Sequence, residues 1–306
     1  MKSFCRHIAW PHLITAVILL SVVSSFGQAN DSINKKRLNT VVYTSAGLYT
    51  ATMGVLYFAW YKDSKLEGFH WFNDNNAWLQ VDKLGHTTTA YVMTNYAYLS
   101  LRWAGVSNKK AALYGGLMGF SAMTVIEIWD GFSSDWGASP GDLIANASGS
   151  ILFTGQQLLW QEQRIRLKFS YHPTSYAAYR PDLLGDTELQ RALKDYNGQT
   201  YWLSFNIKSF IKKDSSIPDW LNVAVGYGAK GMLGADSNPA YYNGMPLPDA
   251  QRVRQYYLSM DVDWTRIKTR SKGLKFIFQA LNFIKMPFPA LEYNSENGTV
   301  FHWLYF

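Results

Sequence analysis

Three short polar runs carry the side chains best suited to chemistry: Asp82-Lys83-x-x-His86, Glu127-x-x-Asp130 and Ser139-x-x-Asp142-x-x-x-Asn146-x-x-Gly149. Each is set into apolar sequence, where ionisable groups are costly and are therefore paired, solvated at one end, or used. His86 follows Asp82 by one helical turn, so a carboxylate can orient the imidazole; Glu127 and Asp130 share a helix face. A histidine among carboxylates suits general acid–base chemistry, or a hard divalent metal if several of Asp82, His86, Glu127, Asp130 and Asp142 converge. The competing reading is structural: Lys83 pairs with Glu127 or Asp130 and locks three helix ends. Ser139-Pro140-Gly141-Asp142 also reads as a helix start, with Ser139 capping and Asp142 reaching back to the cap. Asp82 could cap a helix in the same way, and Asn146, one turn beyond Asp142, could bridge to a neighbouring helix. No Ser or Cys nucleophile is evident beside these residues.

Four apolar segments must position them: Thr40–Trp60, His86–Trp103, Ala111–Trp129 and Leu143–Trp160. Each is about twenty residues, long enough to cross a bilayer as a helix, though diluted by Thr, Ser, Tyr, Gly and Asn. A buried soluble bundle is the alternative use of such segments. Gly115-x-x-x-Gly119 and Ala145-x-x-x-Gly149 allow close helix contact. If successive helices are antiparallel, Asp82, Lys83, His86, Glu127, Asp130, Asp142 and Asn146 gather at one pole. The opposite end collects Lys35, Lys36, Arg37, Arg102, Lys109, Lys110, Arg164, Arg166 and Lys168.

The second half changes period. Tyr256, Leu258, Met260, Val262 and Trp264 alternate with Tyr257, Ser259, Asp261, Asp263 and Thr265, a strand with one polar face. Tyr201–Phe210, Asp219–Ala229, Gly273–Ile284 and Thr299–Phe306 also read as strands, and a short helix is expected around Thr187–Tyr196. Gly226-Tyr227-Gly228-Ala229-Lys230-Gly231 matches a dinucleotide fingerprint, but loop-like sequence follows where a helix must begin, so nucleotide binding is not expected. The expected fold class is α+β: an N-terminal four-helix bundle, membrane-type or membrane-associated, then an antiparallel β-rich region forming a sheet or partial barrel. The divisions are 1–29 signal peptide, 33–168 helical bundle with the polar site, 169–200 connector and 201–306 β-rich region.

Composition points to the envelope. Lys2, Arg6 and His7 precede an apolar stretch from Leu13 to Val23, with small residues at Gly27-Gln28-Ala29, the pattern of an export signal or a retained anchor. The single Cys, Cys5, lies inside that segment, so the remainder has no disulfide, thiol nucleophile or Cys-based metal site. A net charge of +7 in scattered clusters suits anionic lipid headgroups better than nucleic acid. Aromatic residues at 16%, recurring near the ends of apolar segments, suit a membrane interface or an outer-membrane barrel. A mean hydropathy of −0.15 argues against a chain made mostly of transmembrane helix.

The set Asp82, Lys83, His86; Glu127, Asp130; Ser139, Asp142 and Gly149 resembles the YfiM-like predicted periplasmic lipoproteins, over about residues 82–155. Residues 193–202 resemble the longer Bacteroidetes members, and a looser likeness to VanZ-type membrane proteins adds Asn146. The resemblance implies envelope location and helical character and supplies no reaction. This chain departs from it in lacking the lipoprotein Cys and in adding the β-rich region. The expected function is therefore an exported, membrane-associated envelope protein, facing the periplasm or in the outer membrane, with the inner membrane as alternative. It binds lipid or glycan headgroups or an envelope partner at the His/carboxylate cluster. The alternative is a metal-assisted envelope hydrolase acting on a phosphate-containing or lipid-linked substrate. No cofactor is evident beyond a divalent metal, and neither nucleic acid nor nucleotide is an expected partner.

Overall fold

The computed structural model describes residues 32–57, 61, 64–211 and 215–306, so the export-signal reading and Cys5 lie outside the described residues. Four long helices come first: α1 (Lys35–Leu56), α2 (Val81–Trp103), α3 (Asn108–Asp130) and α4 (Pro140–Leu159). Asn34 caps α1 through the Arg37 N–H at 3.1 Å, and Ser139 caps α4 through the Asp142 N–H at 3.1 Å, with Pro140 in the first turn as its missing donor allows. Among the described residues, α3 is the one helix long and apolar enough, by length and composition, to cross a membrane.

Helices α2, α3 and α4 pack closely because small residues face backbone. A Cβ on Gly149 would overlap the Thr87 carbonyl oxygen of α2, and one on Gly119 would overlap the Thr94 hydroxyl. The two small-residue spacings are thus the contact faces that the sequence implies. Val41 of α1 joins Leu101, Ala104, Val106 and Ala111 in a separate apolar cluster.

Strand β1 (Ile165–Tyr171) follows α4 directly, so the boundary expected at residue 168 falls inside an edge strand. Two short helices, α5 (Pro181–Leu184) and α6 (Glu188–Lys194), precede β2 (Gln199–Asn206) and β3 (Leu221–Lys230). A two-stranded hairpin, β4 (Tyr241–Tyr242) with β5 (Met245–Pro246), leads to β6 (Val253–Val262). Helix α7 (Lys272–Leu281) and strands β7 (Phe288–Asn294) and β8 (Gly298–Tyr305) complete the chain. The main sheet is antiparallel with order β1-β2-β3-β6-β7-β8. The α+β class is as read from the sequence.

One expected strand is a correction: Gly273–Ile284 is mostly α7. Its lysines at 272 and 275 and Gln279 recur at helical spacing, and Ser271 caps it through the Leu274 N–H. The two strands of the main sheet not foreseen, β1 and β7, each carry polar residues toward a buried interior. Gly226 and Gly228 of the rejected nucleotide motif lie within β3, where Gly226 leaves room for the Trp202 ring on β2, and Gly231 follows the strand with φ at 77°.

The sheet is strongly curled and inverted in polarity. Tyr305 on β8 reaches Thr200 on β2 at 3.0 Å and stacks on Tyr257 at 4.4 Å, although three strands separate β2 from β8. Its concave side encloses Lys168 paired with Asp261 at 2.8 Å, both 0% exposed, and Arg166 paired with Asp263 at 2.8 Å. Lys285 lies in the same interior against Ser259 at 3.0 Å, and burial carries its amine down to about 8. Lys168 is therefore a buried ion-pair partner and Arg166 a half-buried one, which corrects their place among the cations of the basic end. The convex side is apolar: Leu203, Val225, Leu258, Leu291 and Phe301 form one row across five strands, and Tyr201, Tyr227, Tyr256 and Tyr293 form the next.

Candidate functional site

The turn before α2 sets the site in place. Trp78, Leu79 and Gln80 all have positive φ, at 49°, 50° and 67°. Side chains strongly disfavour that region, so three in succession persist only where surrounding contacts hold them. The sheet supplies those contacts. The Tyr227 hydroxyl donates to Leu79 O, and Arg254 Nη2 donates to Gln80 Oε1 at 2.7 Å. The clamp fixes where Val81 begins α2, and with it the direction of Asp82, Lys83 and His86. Asp82 lies in the first turn rather than at the cap, which Gln80 occupies without a side-chain bond.

From the opposite chain direction α3 brings Glu127 and Asp130 to the same pole, and α4 starts there with Asp142 and Asn146. All seven residues singled out by spacing are at this pole. Lys83 Nζ lies 2.7 Å from Asp74, 3.1 Å from Asp82 and 2.9 Å from Asp142, so its ammonium fills the space between three carboxylates. Its ion pairs are with these residues and not with Glu127 or Asp130. Burial opposes its charge, but the three carboxylates outweigh burial and raise its pKa.

A second group shares Asp142, and through it Lys83, with the first. His86, Glu127 and Asp142 offer one ligand atom each, all within 4.8 Å of one another. Glu127 is 2% exposed; its Oε2 accepts the Ser139 N–H at 3.1 Å, while Oε1 makes no hydrogen bond and faces His86 Nδ1 at 3.5 Å. Glu127 thus takes the helix-capping role expected of Asp142, whose carboxylate turns instead to Lys83. Asn146 Oδ1 lies 3.2 Å from His86 Nδ1 and is the interhelical bridge expected of it. Asp130 turns outward to accept the Tyr61 hydroxyl at 2.5 Å.

The electrostatics follow from a count of charges. Asp74, Asp82, Glu127, Asp130 and Asp142 face one lysine, so several carboxylates share a poorly solvated space without a cation. Burial, then Asp142, pushes the Glu127 carboxyl up to about 8; burial likewise raises Asp82 and Asp130 to about 6, and raises Asp142. Asp74 is the exception: burial would raise it, but hydrogen bonds from Lys83 and Ser139 carry it below the usual carboxylate range.

Asp74 and Tyr61 are the members that spacing missed. Asp74 sits in Asn73-Asp74-Asn75-Asn76, which reads as a solvated turn, and Tyr61 lies among other aromatics. The only available signal was Asp74 as the single charge in that turn, close before the α2 start.

The region that builds this pole is also the part of the chain with a recognised relative. Residues 67–154 match the model of a family described as a predicted periplasmic lipoprotein (DUF2279). That match supports an exported, envelope-associated location and covers the polar residues of the pole from Asp74 to Asn146. Comparison with curated proteins and with solved structures gave no match.

Proposed function

We propose that this is an envelope protein whose helical pole holds a divalent cation on His86, Glu127 and Asp142 and uses it to bind oxygen-rich headgroups. The observation that carries the reading is Glu127 Oε1, buried, without a hydrogen bond, and aimed at the imidazole. Buried polar atoms are almost always satisfied, and an uncompensated carboxylate is costlier still. Ligand atoms within 4.8 Å of one another match the spacing around an ion bound at about 2.0–2.5 Å. One nitrogen and two carboxylates, with no thiolate, suit Zn²⁺ or Mn²⁺. The sign of the charge refines the ligand. An acidic pole repels a bare phosphate, so a lipid or glycan headgroup would bind through the ion.

The test is binding of envelope lipid or glycan extracts to the full chain before and after chelation. The reading expects a bound fraction that chelator removes and Mn²⁺ or Zn²⁺ restores; binding indifferent to both contradicts it. Metal-assisted hydrolysis is the second reading. It is favoured by His86, whose side chain is 22% exposed while Glu127 and Asp142 are nearly closed off, so a base there could meet a phosphate-containing or lipid-linked substrate. Metal-dependent turnover of a chromogenic phosphodiester, lost in His86→Ala, would select it.

A further inference from the structure

At β1 the helices close over the convex side of the main sheet, and Leu167 is buried against Tyr91 of α2 and Phe153 of α4. From β2 to β8 the same side is open. The row from Leu203 to Phe301 is exposed throughout, as are Tyr256 and Tyr293 beside it, and Trp303 is 82% exposed. Phe205, Val223 and Met260 add a further apolar row across β2, β3 and β6. None of these rows contains a charged residue.

The concave side holds the groups that water would ordinarily receive. Buried Glu292 accepts from Gln255 and Asn294 at 2.7 Å each and lies 2.7 Å from His302, and the Lys168–Asp261 pair shares that interior. An antiparallel sheet with one wet face ordinarily sends polar residues outward and keeps its core apolar. The inverse arrangement, polar within and apolar without, suits a wall surrounded by hydrocarbon. Amphipathic rings mark the ends of the open field. Tyr256 and Tyr293 edge it at one end and Trp220 precedes β3 at the other, residue types that favour a lipid–water boundary.

We propose that the open convex face of the sheet is seated among the acyl chains of a lipid membrane. Curvature selects lipid over a second copy of the chain. The sheet bends enough for Tyr305 on β8 to reach Thr200 on β2, so two such convex faces would touch along a strip and leave most of both in water. Fluid hydrocarbon conforms to a curved face and covers all of it. The proposal does not rest on the cation site, which lies at the helical pole.

The test uses the full chain, stripped of metal by chelator, with vesicles of phosphatidylcholine alone, so that neither a bound cation nor an anionic headgroup contributes. The protein is expected to float with the vesicles and to stay with them in high salt. Leu203→Glu/Leu291→Glu puts charge on side chains that are already exposed and not paired with each other, and should weaken vesicle binding roughly thirtyfold. A nitroxide at Leu258→Cys, in a Cys5→Ser background, reads the face directly. With vesicles it should be open to oxygen and shielded from a water-soluble nickel complex, whereas one at Glu188→Cys, on a side chain 73% exposed, stays open to nickel. Protein that does not float, unchanged binding in the double variant, or a nitroxide at 258 open to nickel on vesicles would each overturn the proposal. Shielding of 258 in a dimer formed without lipid would overturn it too, and would assign the face to a second copy.

Discussion

Glu127 on the third helix accepts the backbone N–H of Ser139, the residue that caps the fourth, at 3.1 Å. One carboxylate oxygen is thus committed to structure, and the other is left facing His86. The ends of two helices are joined through the group that the cation reading needs most.

The acidity of that group has a consequence for stability. In the ion-free protein Glu127 titrates near 8 rather than at the ordinary 4.5, so the folded state holds its proton more tightly than the unfolded state. Its contribution to stability is present below about 4.5 and is lost as pH rises toward about 8. Glu127→Gln should therefore flatten the fall in stability over that interval, measured by urea unfolding in the presence of chelator. A slope equal to that of the wild-type protein would show that Glu127 is not the group responsible.

Lys83 makes the opposite case. Lys83→Met leaves Asp74, Asp82 and Asp142 buried without their shared ammonium, which should cost about 3–5 kcal/mol near neutral pH. The loss should shrink as pH falls, beginning above about 6, because the ammonium that holds the Asp82 carboxyl down to that value is gone in the variant. Thermal unfolding of the variant at several pH values checks both the size and the direction.

Helix contact can be tested without touching any charge. A side chain on Gly149 collides with the Thr87 carbonyl of α2, which cannot move aside as a flexible side chain would. Gly149→Ala should cost about 1–3 kcal/mol, seen as a lowered Tm.

Tyr227→Phe removes the hydroxyl that holds Leu79 in its left-handed turn. About 1 kcal/mol of stability should be lost, with a weaker affinity for the cation, because the turn aims His86. A variant with reduced stability and unchanged cation affinity would separate the turn from the site.

Particular residues show why some of this was legible in sequence. The four helices and the common pole followed from apolar length and chain direction, since Asp82, Glu127 and Asp142 each sit where a helix begins or ends. The alternation from Tyr256 to Val262 marked a strand, but periodicity carries no sign. It could not say that Ser259 and Asp261 face inward while Leu258, 48% exposed, faces out. Strand β1 was obscured because Arg166 and Lys168 read as surface charge; only the tertiary partners Asp263 and Asp261 make their burial tolerable. The partners of Lys83 were missed for the same reason, as Asp74 comes from a turn whose path depends on the sheet.

The most direct test of the account is calorimetric titration of chelator-stripped protein with Zn²⁺ and Mn²⁺ at about pH 8, where Glu127 gives up its proton most readily. One ion per chain is expected, with affinity weakening as pH is lowered and falling at least tenfold in Glu127→Gln. No binding to the wild-type protein, or equal affinity in the variant, would contradict it.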